Sequence, residues 1–378
     1  MTSKERIMLA LHREKPDRLP VTIHQWQPYH LDKYMGGVDA LTAFKQVGLD
    51  ASITYFELIG QFWIPDTAAL ATSMVAVEAP GWRDEITVVS ADPDNRIAHH
   101  TVHTPEGTLT YRTGGDRTTT WITEYMIKRH EDLDLIEKYM PVPKLDKARV
   151  AAAYDQVGDA GILRGFVWGD QGGCWQHACC LMDAQDLILE AFDNPDWVHR
   201  LMRVLLDKKL RFIEESLVGA KYDLIETGGG AASDTLISPE LHRTFCLPYD
   251  RQIHGALRAA GHLSVYHTCG GMMRILDCIR ANGCDASETL APPGVGGNIK
   301  DPAKVREAFG GRLAMVGGLD QFHVLTDGTP EQIRAEVHRL FEGFGPDGGY
   351  ICSASDHFFE TPPENLRALA EAGRECVY

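Results

Sequence analysis

Residues 262–283 read HLSVYHTCGGMMRILDCIRANG. The stretch begins with an apolar run carrying β-branched and aromatic residues, passes through two glycines, and continues with apolar residues at helical spacing up to a closing glycine. That is one strand-to-helix unit with a helix stop. A period of two places residues i and i+2 of a strand on the same side, so His267 and Cys269 face one way where the strand ends. Glycines immediately afterwards let the backbone turn at once.

The same unit recurs on both sides of this stretch. YDLIETGGG precedes it, followed by the helix SPELHRTFCLPYDRQIHGALRAAG with a Ser-Pro start and a Gly stop. CDASETL, DPAKVREAFGG, RLAMVGGLD, TPEQIRAEVHRLFEGFG, GGYICSASDH and TPPENLRALAEAGREC continue the alternation. The first half adds strands at RLPVTI, DASITYF and GILRGFVWG, which brings the strand number to eight. Parallel strands alternating with helices in this number predict an α/β fold, a TIM (β/α)8 barrel, built as one domain over residues 1–378. Residues 84–128 break the pattern. RIAHHTVHTPEGTLTYRTGG predicts an antiparallel hairpin turning at Thr104-Pro105-Glu106-Gly107, a β insertion after the second strand that serves as a lid or a subunit contact.

Bulk composition narrows the partners. The formal net charge is −16, which argues against nucleic acid and an anionic membrane surface as general partners. No run of apolar residues is long enough to span a bilayer, so no membrane association is expected. The start MTSKERIMLALHREKPDR is amphipathic and too charged for a secretory segment. The 9 cysteines are odd in number and scattered, which fits a reducing compartment rather than a disulfide framework. A cytoplasmic location follows as an expectation.

In a barrel of this type the chemistry sits at the C-terminal strand ends. Those ends carry His24 and Gln25, Glu57, Asp170 and Gln171, Glu226, His267 and Cys269, Glu288, Asp320, and the run from Cys352 to His357. Catalytic zinc takes three protein ligands and keeps one open position. His267 and Cys269 supply two of them. Cys352 in the last strand is the first choice for the third, with Asp356, His357 and Glu288 as alternatives. Glu57, Glu226 and Asp320 are candidates to orient substrate or carry protons. His24, Gln25, Trp26, Trp168 and His357 are candidates to contact a neutral or aromatic substrate. TGGG at 227–230 lacks the Lys-Ser/Thr of a phosphate-binding loop.

SKERIMLALHREKPDRLPV, LISPELHRTFCLPYDRQIHGALRAAG, HTCGG, GRLAMVGGLD and GGYICSASDHFFETPPENLRAL together resemble the uroporphyrinogen decarboxylase superfamily. The resemblance covers nearly the whole chain except the β insertion, and it implies a TIM barrel. True decarboxylases of that superfamily carry an arginine-bearing MRQAGR segment after the first strand and an aspartate after the second. Here those places read IHQWQPYHLDKY and Glu57. A substrate bearing many carboxylates needs cationic partners, so uroporphyrinogen decarboxylation is not expected. The other branch comprises cobalamin-dependent methyltransferases that bind zinc through a His-x-Cys pair and a cysteine near the last strand. His267-Thr268-Cys269 matches the pair; the usual last-strand position falls near Ser355, three residues beyond Cys352. The resemblance therefore implies a zinc-dependent methyltransferase, with Zn2+ as its metal and a cobalamin (corrinoid) cofactor supplied in trans by a corrinoid protein. Its other partners would be a small-molecule methyl donor or acceptor, such as a methyl ether or a thiol, and a second copy of the chain in a homodimer. The rivals are a metal-free decarboxylase and a tetrapyrrole- or corrinoid-binding protein.

Overall fold

The helix at the very start of the chain closes one end of the molecule. In the computed structural model, which describes residues 1–58, 74–75, 80–169 and 171–378, Thr2 and Glu5 form a capping box on the helix Ser3–Leu11. Its apolar face, Ile7, Ala10 and Leu11, is buried against Ile162, Leu224, Val265, Ala286, Ala314, Val316 and Ile351. Those residues belong to successive strands of a barrel and point into its lumen, so the helix is a plug at the N-terminal mouth.

Among the described residues the strands are β1 (Val21–Thr22), β2 (Ala51–Thr54), β3 (Met74–Val75), β4 (Arg83–Asp92), β5 (Asn95–Thr104), β6 (Gly107–Gly115), β7 (Thr120–Glu124), β8 (Lys144–Leu145), β9 (Gly161–Phe166), β10 (Leu224–Gly228), β11 (Ser264–His267), β12 (Ala286–Thr289), β13 (Ala314–Leu319) and β14 (Tyr350–Ala354). Eight of them form one parallel sheet in the order β1-β14-β13-β12-β11-β10-β9-β2, with helices between consecutive strands. This is the TIM-barrel order. Asp50 closes the seam between β1 and β2. Its backbone N–H donates to the Val21 carbonyl at 2.9 Å, its carboxylate accepts from the Val21 N–H at 3.1 Å, and Arg6 and Arg18 neutralise it at 2.7 and 3.0 Å.

The outer helices begin and end where their sequences direct. Asp301 caps Pro302–Phe309, and Gly310 ends it in the left-handed region. Thr329 and Gln332 form a capping box on Pro330–Phe344. The helix expected from Ser238 starts there but widens over His242–Cys246 before resuming as Leu247–Ala259. Pro248 has no N–H to return to the preceding turn, which is one reason the regular ladder fails at this place. No helix among the described residues is long and apolar enough to cross a membrane.

The β insertion lies after the second barrel strand. Its expected hairpin is present, with Thr104 paired to Gly107 across the β5–β6 turn, but it is the centre of a larger element. Strands β4, β5, β6 and β7 form a four-stranded antiparallel sheet. Val102, Leu109 and Tyr111 are buried in it, while Ile86, Val88 and Trp121 stand exposed. Asp170, noted as a strand-end residue in the sequence, falls outside the described residues.

Candidate metal centre

One step of two residues turns the lumen from apolar to ionic. Above Ile162 on β9 comes Arg164; above Leu224 on β10, Glu226; above Val265 on β11, His267; above Ala286 on β12, Glu288. Register then sets the neighbours. His267 is paired directly with Glu288 across β11 and β12, and with Gly228 on β10. The His267 Nδ1 lies 3.2 Å from a Glu288 oxygen and 3.7 Å from one of Glu226. A single Arg164 nitrogen donates to Glu288 at 2.6 Å and to Glu226 at 2.9 Å.

With Nδ1 held by Glu288, the other nitrogen of His267, Nε2, is buried and has no hydrogen-bond partner; the second oxygen of Glu288 is in the same state. A buried polar atom without a partner is costly, and here it faces other ligating groups. One ligand atom from each of His267, Cys269 and Asp356 lies within 4.8 Å of the others. The sets His24, His267, Glu288 and His24, Asp356, His357 meet the same limit. The donor chemistry is imidazole, thiol and carboxylate, which suits zinc, and a carboxylate on the far nitrogen of a ligating histidine is the usual outer support.

The glycine run before the site has a packing reason. A Cβ on Gly228 would lie 2.5 Å from the His267 carbonyl oxygen, and one on Gly230 would lie 2.5 Å from the Cys269 sulfur. The glycines of TGGG thus leave room for His267 and Cys269. Gln171 bridges the same spot: its oxygen accepts from the Gly230 N–H at 3.1 Å, and its amide nitrogen stands 4.0 Å from the Cys269 sulfur.

Electrostatics follow burial and pairing. Burial pushes His24 down to about 3, so its ring is neutral. Burial alone would lower His267 as well, but Cys269, Glu288 and Glu226 raise it well above the usual imidazole value. Against its own burial, Glu288 is held well below the usual carboxyl value by Arg164 and His267. Glu226 is raised by burial and by the charge of Glu288. Asp356 is lowered despite burial by His357, His24 and His267.

Of the residues singled out in the sequence, His24, Glu226, His267, Cys269 and His357 converge in this layer, with Glu288 and Asp356 from the set of alternatives. Cys352 does not join them. Ile351 faces the lumen, so its neighbour Cys352 faces the helices, buried near Tyr350, Glu336 and Cys376. The expectation of Cys352 as third ligand is corrected by that one-residue parity; the group that lies with His267 and Cys269 is Asp356. Asp320 caps the turn Gln321–Thr326 through the backbone N–H groups of Phe322 and His323. Trp26 packs edge-on to Phe44 and Phe358, and Trp168 edge-on to His177. Neither tryptophan is among the ligand groups. Gln25 is half-buried. The Glu57 carboxylate ties β1 to β2, accepting from the Trp26 N–H at 2.7 Å and the Thr54 N–H at 2.6 Å; burial pushes it up to about 7 against these donors. Sequence reasoning missed Arg164. Its one signal was a charge inside the apolar run GILRGF.

Comparison with known proteins agrees with this architecture. Residues 111–376 match the family described as uroporphyrinogen decarboxylase (URO-D). A uroporphyrinogen decarboxylase from Aromatoleum aromaticum is 28% identical over 217 residues, which cover 54% of this chain and 56% of that protein. A methylcobamide:CoM methyltransferase from Methanosarcina mazei is 22% identical over 383 residues, covering 100% of this chain and 99% of the relative. The solved structure of a methyltransferase from Methanosarcina mazei superposes with a TM-score of 0.68 at 18% identity, covering 99% of each chain, and so shares the fold. The eight-stranded barrel, the polar layer at its C-terminal mouth and the family match over most of the chain lead to one assignment: the protein belongs to the uroporphyrinogen decarboxylase family.

Proposed function

We propose that the protein is a zinc-dependent methyltransferase that moves a methyl group between a small methylated substrate and a corrinoid carried by a separate protein. The observation that carries this reading is the buried, unpartnered Nε2 of His267 beside Cys269 and Asp356. His267, Cys269 and Asp356 would hold the ion. When bound, zinc supplies Lewis acidity at the heteroatom of the methyl donor or acceptor. The chain's own residues do the rest. Glu288 keeps the proton of His267 on Nδ1, and Arg164 anchors Glu288 from below. His24 and His357 flank the open side of the site.

The full-length similarity to a methylcobamide:CoM methyltransferase supports methyl transfer to or from a corrinoid. Within this layer the guanidinium of Arg164 is already engaged by two glutamates, which leaves it unsuited to a polycarboxylate. A neutral methyl ether or thioether suits the site better. The test is to measure zinc per chain in the purified protein and in Cys269→Ser. The protein is then incubated with cob(I)alamin and a panel of such methyl donors while the cobalt absorbance is followed. About one zinc or more per chain in the parent, lost in Cys269→Ser together with methyl transfer, is expected. Full zinc occupancy in Cys269→Ser, or efficient coproporphyrinogen formation from uroporphyrinogen, overturns the reading.

A further inference from the structure

His24 is not explained by a single ion at His267, Cys269 and Asp356. It is 7% exposed, and among the described residues its ring makes only two ring contacts, to His267 and to His357, each with centroids 5.1 Å apart. Its neutral ring stands between two other imidazoles at the mouth of the lumen, placed as a ligand would be. Its neighbours are ligating groups: His24, Asp356 and His357 each bring one atom within 4.8 Å of the others.

His357 is oriented for the same purpose. Its Nδ1 lies 2.7 Å from the side-chain amide of Gln27. A carboxamide turned end for end occupies the same outline, so Gln27 can accept from Nδ1–H and leave Nε2 as the free donor atom. This repeats, between the loop after β1 and the loop after β14, the support that Glu288 gives His267. Asp356 belongs to both groups, and a carboxylate has two oxygens to share.

We propose that His24, His357 and Asp356 form a second divalent-cation position next to that of His267, Cys269 and Asp356, with Asp356 bridging the two. Paired ions sharing a carboxylate commonly sit about 3.5–4 Å apart. The two positions differ in softness. The first offers sulfur, whereas the second offers only nitrogen and oxygen and takes any ion content with imidazole and carboxylate.

Cobalt(II) titration of the metal-free protein under anaerobic conditions separates the positions. The expected result is two equivalents per chain. One gives an intense sulfur-to-cobalt charge-transfer band and the other only weak ligand-field bands. His24→Gln and His357→Gln should each lose the weak-band equivalent and keep the charge-transfer band, with circular dichroism confirming that each folds. Cys269→Ser should lose the charge-transfer band. A single equivalent in the parent protein overturns the second position and leaves the reading above intact. So does a charge-transfer band that shifts in His24→Gln, because His24 then serves the first ion. Absence of any charge-transfer band overturns the thiolate site itself.

Discussion

The two ends of the barrel lumen are built by the same strands and differ by one step along each. At the lower layer Ile162, Leu224, Val265 and Ala286 meet the N-terminal helix in a dry apolar contact. At the next layer Arg164, Glu226, His267 and Glu288 form a buried ionic cluster. The lower layer gains free energy from apolar area removed from water. The upper layer holds charges in low dielectric, where each depends on its partners. The barrel thus sets an apolar layer below an ionic one along its axis, and five substitutions probe that separation.

The strongest break is Arg164→Met. It leaves Glu226 and Glu288 buried without their cation, and breaking a buried ionic cluster in this way costs about 3–5 kcal/mol. Chemical denaturation should show that loss at neutral pH. It should shrink in acid, as the two carboxyls take up protons. A variant as stable as the parent at neutral pH would show that the upper layer is not held by this pairing.

Leu11→Ala tests the lower layer. Leu11 is fully buried in the plug, and truncating such a leucine costs about 3 kcal/mol through lost burial and the cavity left behind. Metal content and turnover per folded molecule should not change, since the plug is a layer below the proposed ligands. A drop in metal content at equal folded concentration would couple the two ends and dissolve the contrast.

Glu57 gives a pH test at the rim between them. Its carboxyl titrates near 7 in the fold and near 4.5 in an ordinary setting. Between those values the folded protein keeps a proton that the unfolded chain has released, so stability falls as pH rises through this window. With allowance for partial solvent contact the effect is about 2 kcal/mol. Denaturation midpoints of the parent and Glu57→Gln between pH 4.5 and 7.5 measure it, and the glutamine variant should show a shallower decline. Equal slopes would mean that the Trp26 and Thr54 donors keep Glu57 ionised throughout.

The same layering explains what the sequence revealed. Each of the eight strands announced itself as a short apolar run ending in glycine or a polar residue, and the helices by their caps, as at Asp301 and Thr329. The His267-x-Cys269 pair was legible because both partners lie on one strand end. Arg164 was not, because its meaning depends on which carboxylates two neighbouring strands bring beside it. The insertion showed its central turn but not its outer strands. β4 is solvent-facing on almost its whole length, which removes the alternation a strand would show, and β7 is only five residues long.

Cys352 supplies the finest test, because it differs from the lumen residues by one position. Val21 of β1 and Gly317 of β13 pair with it, which fixes its register at the same height as the site. Height alone would make it a ligand, and its side-chain direction decides otherwise. Its thiol is pushed up to about 12 by burial among the helices, and a thiol that keeps its proton is a poor metal ligand. Cys352→Ala should therefore cost only about 1 kcal/mol, the price of a small void in the outer core, and leave the metal content of the protein unchanged. Asp356→Ala should reduce metal content while altering stability little, because Asp356 stands at the open end of the lumen. Elemental analysis of the two variants beside the parent decides between them. Metal lost with Cys352 and retained without Asp356 would return the third ligand to the last strand, and would require β14 to turn by one residue from the register described here.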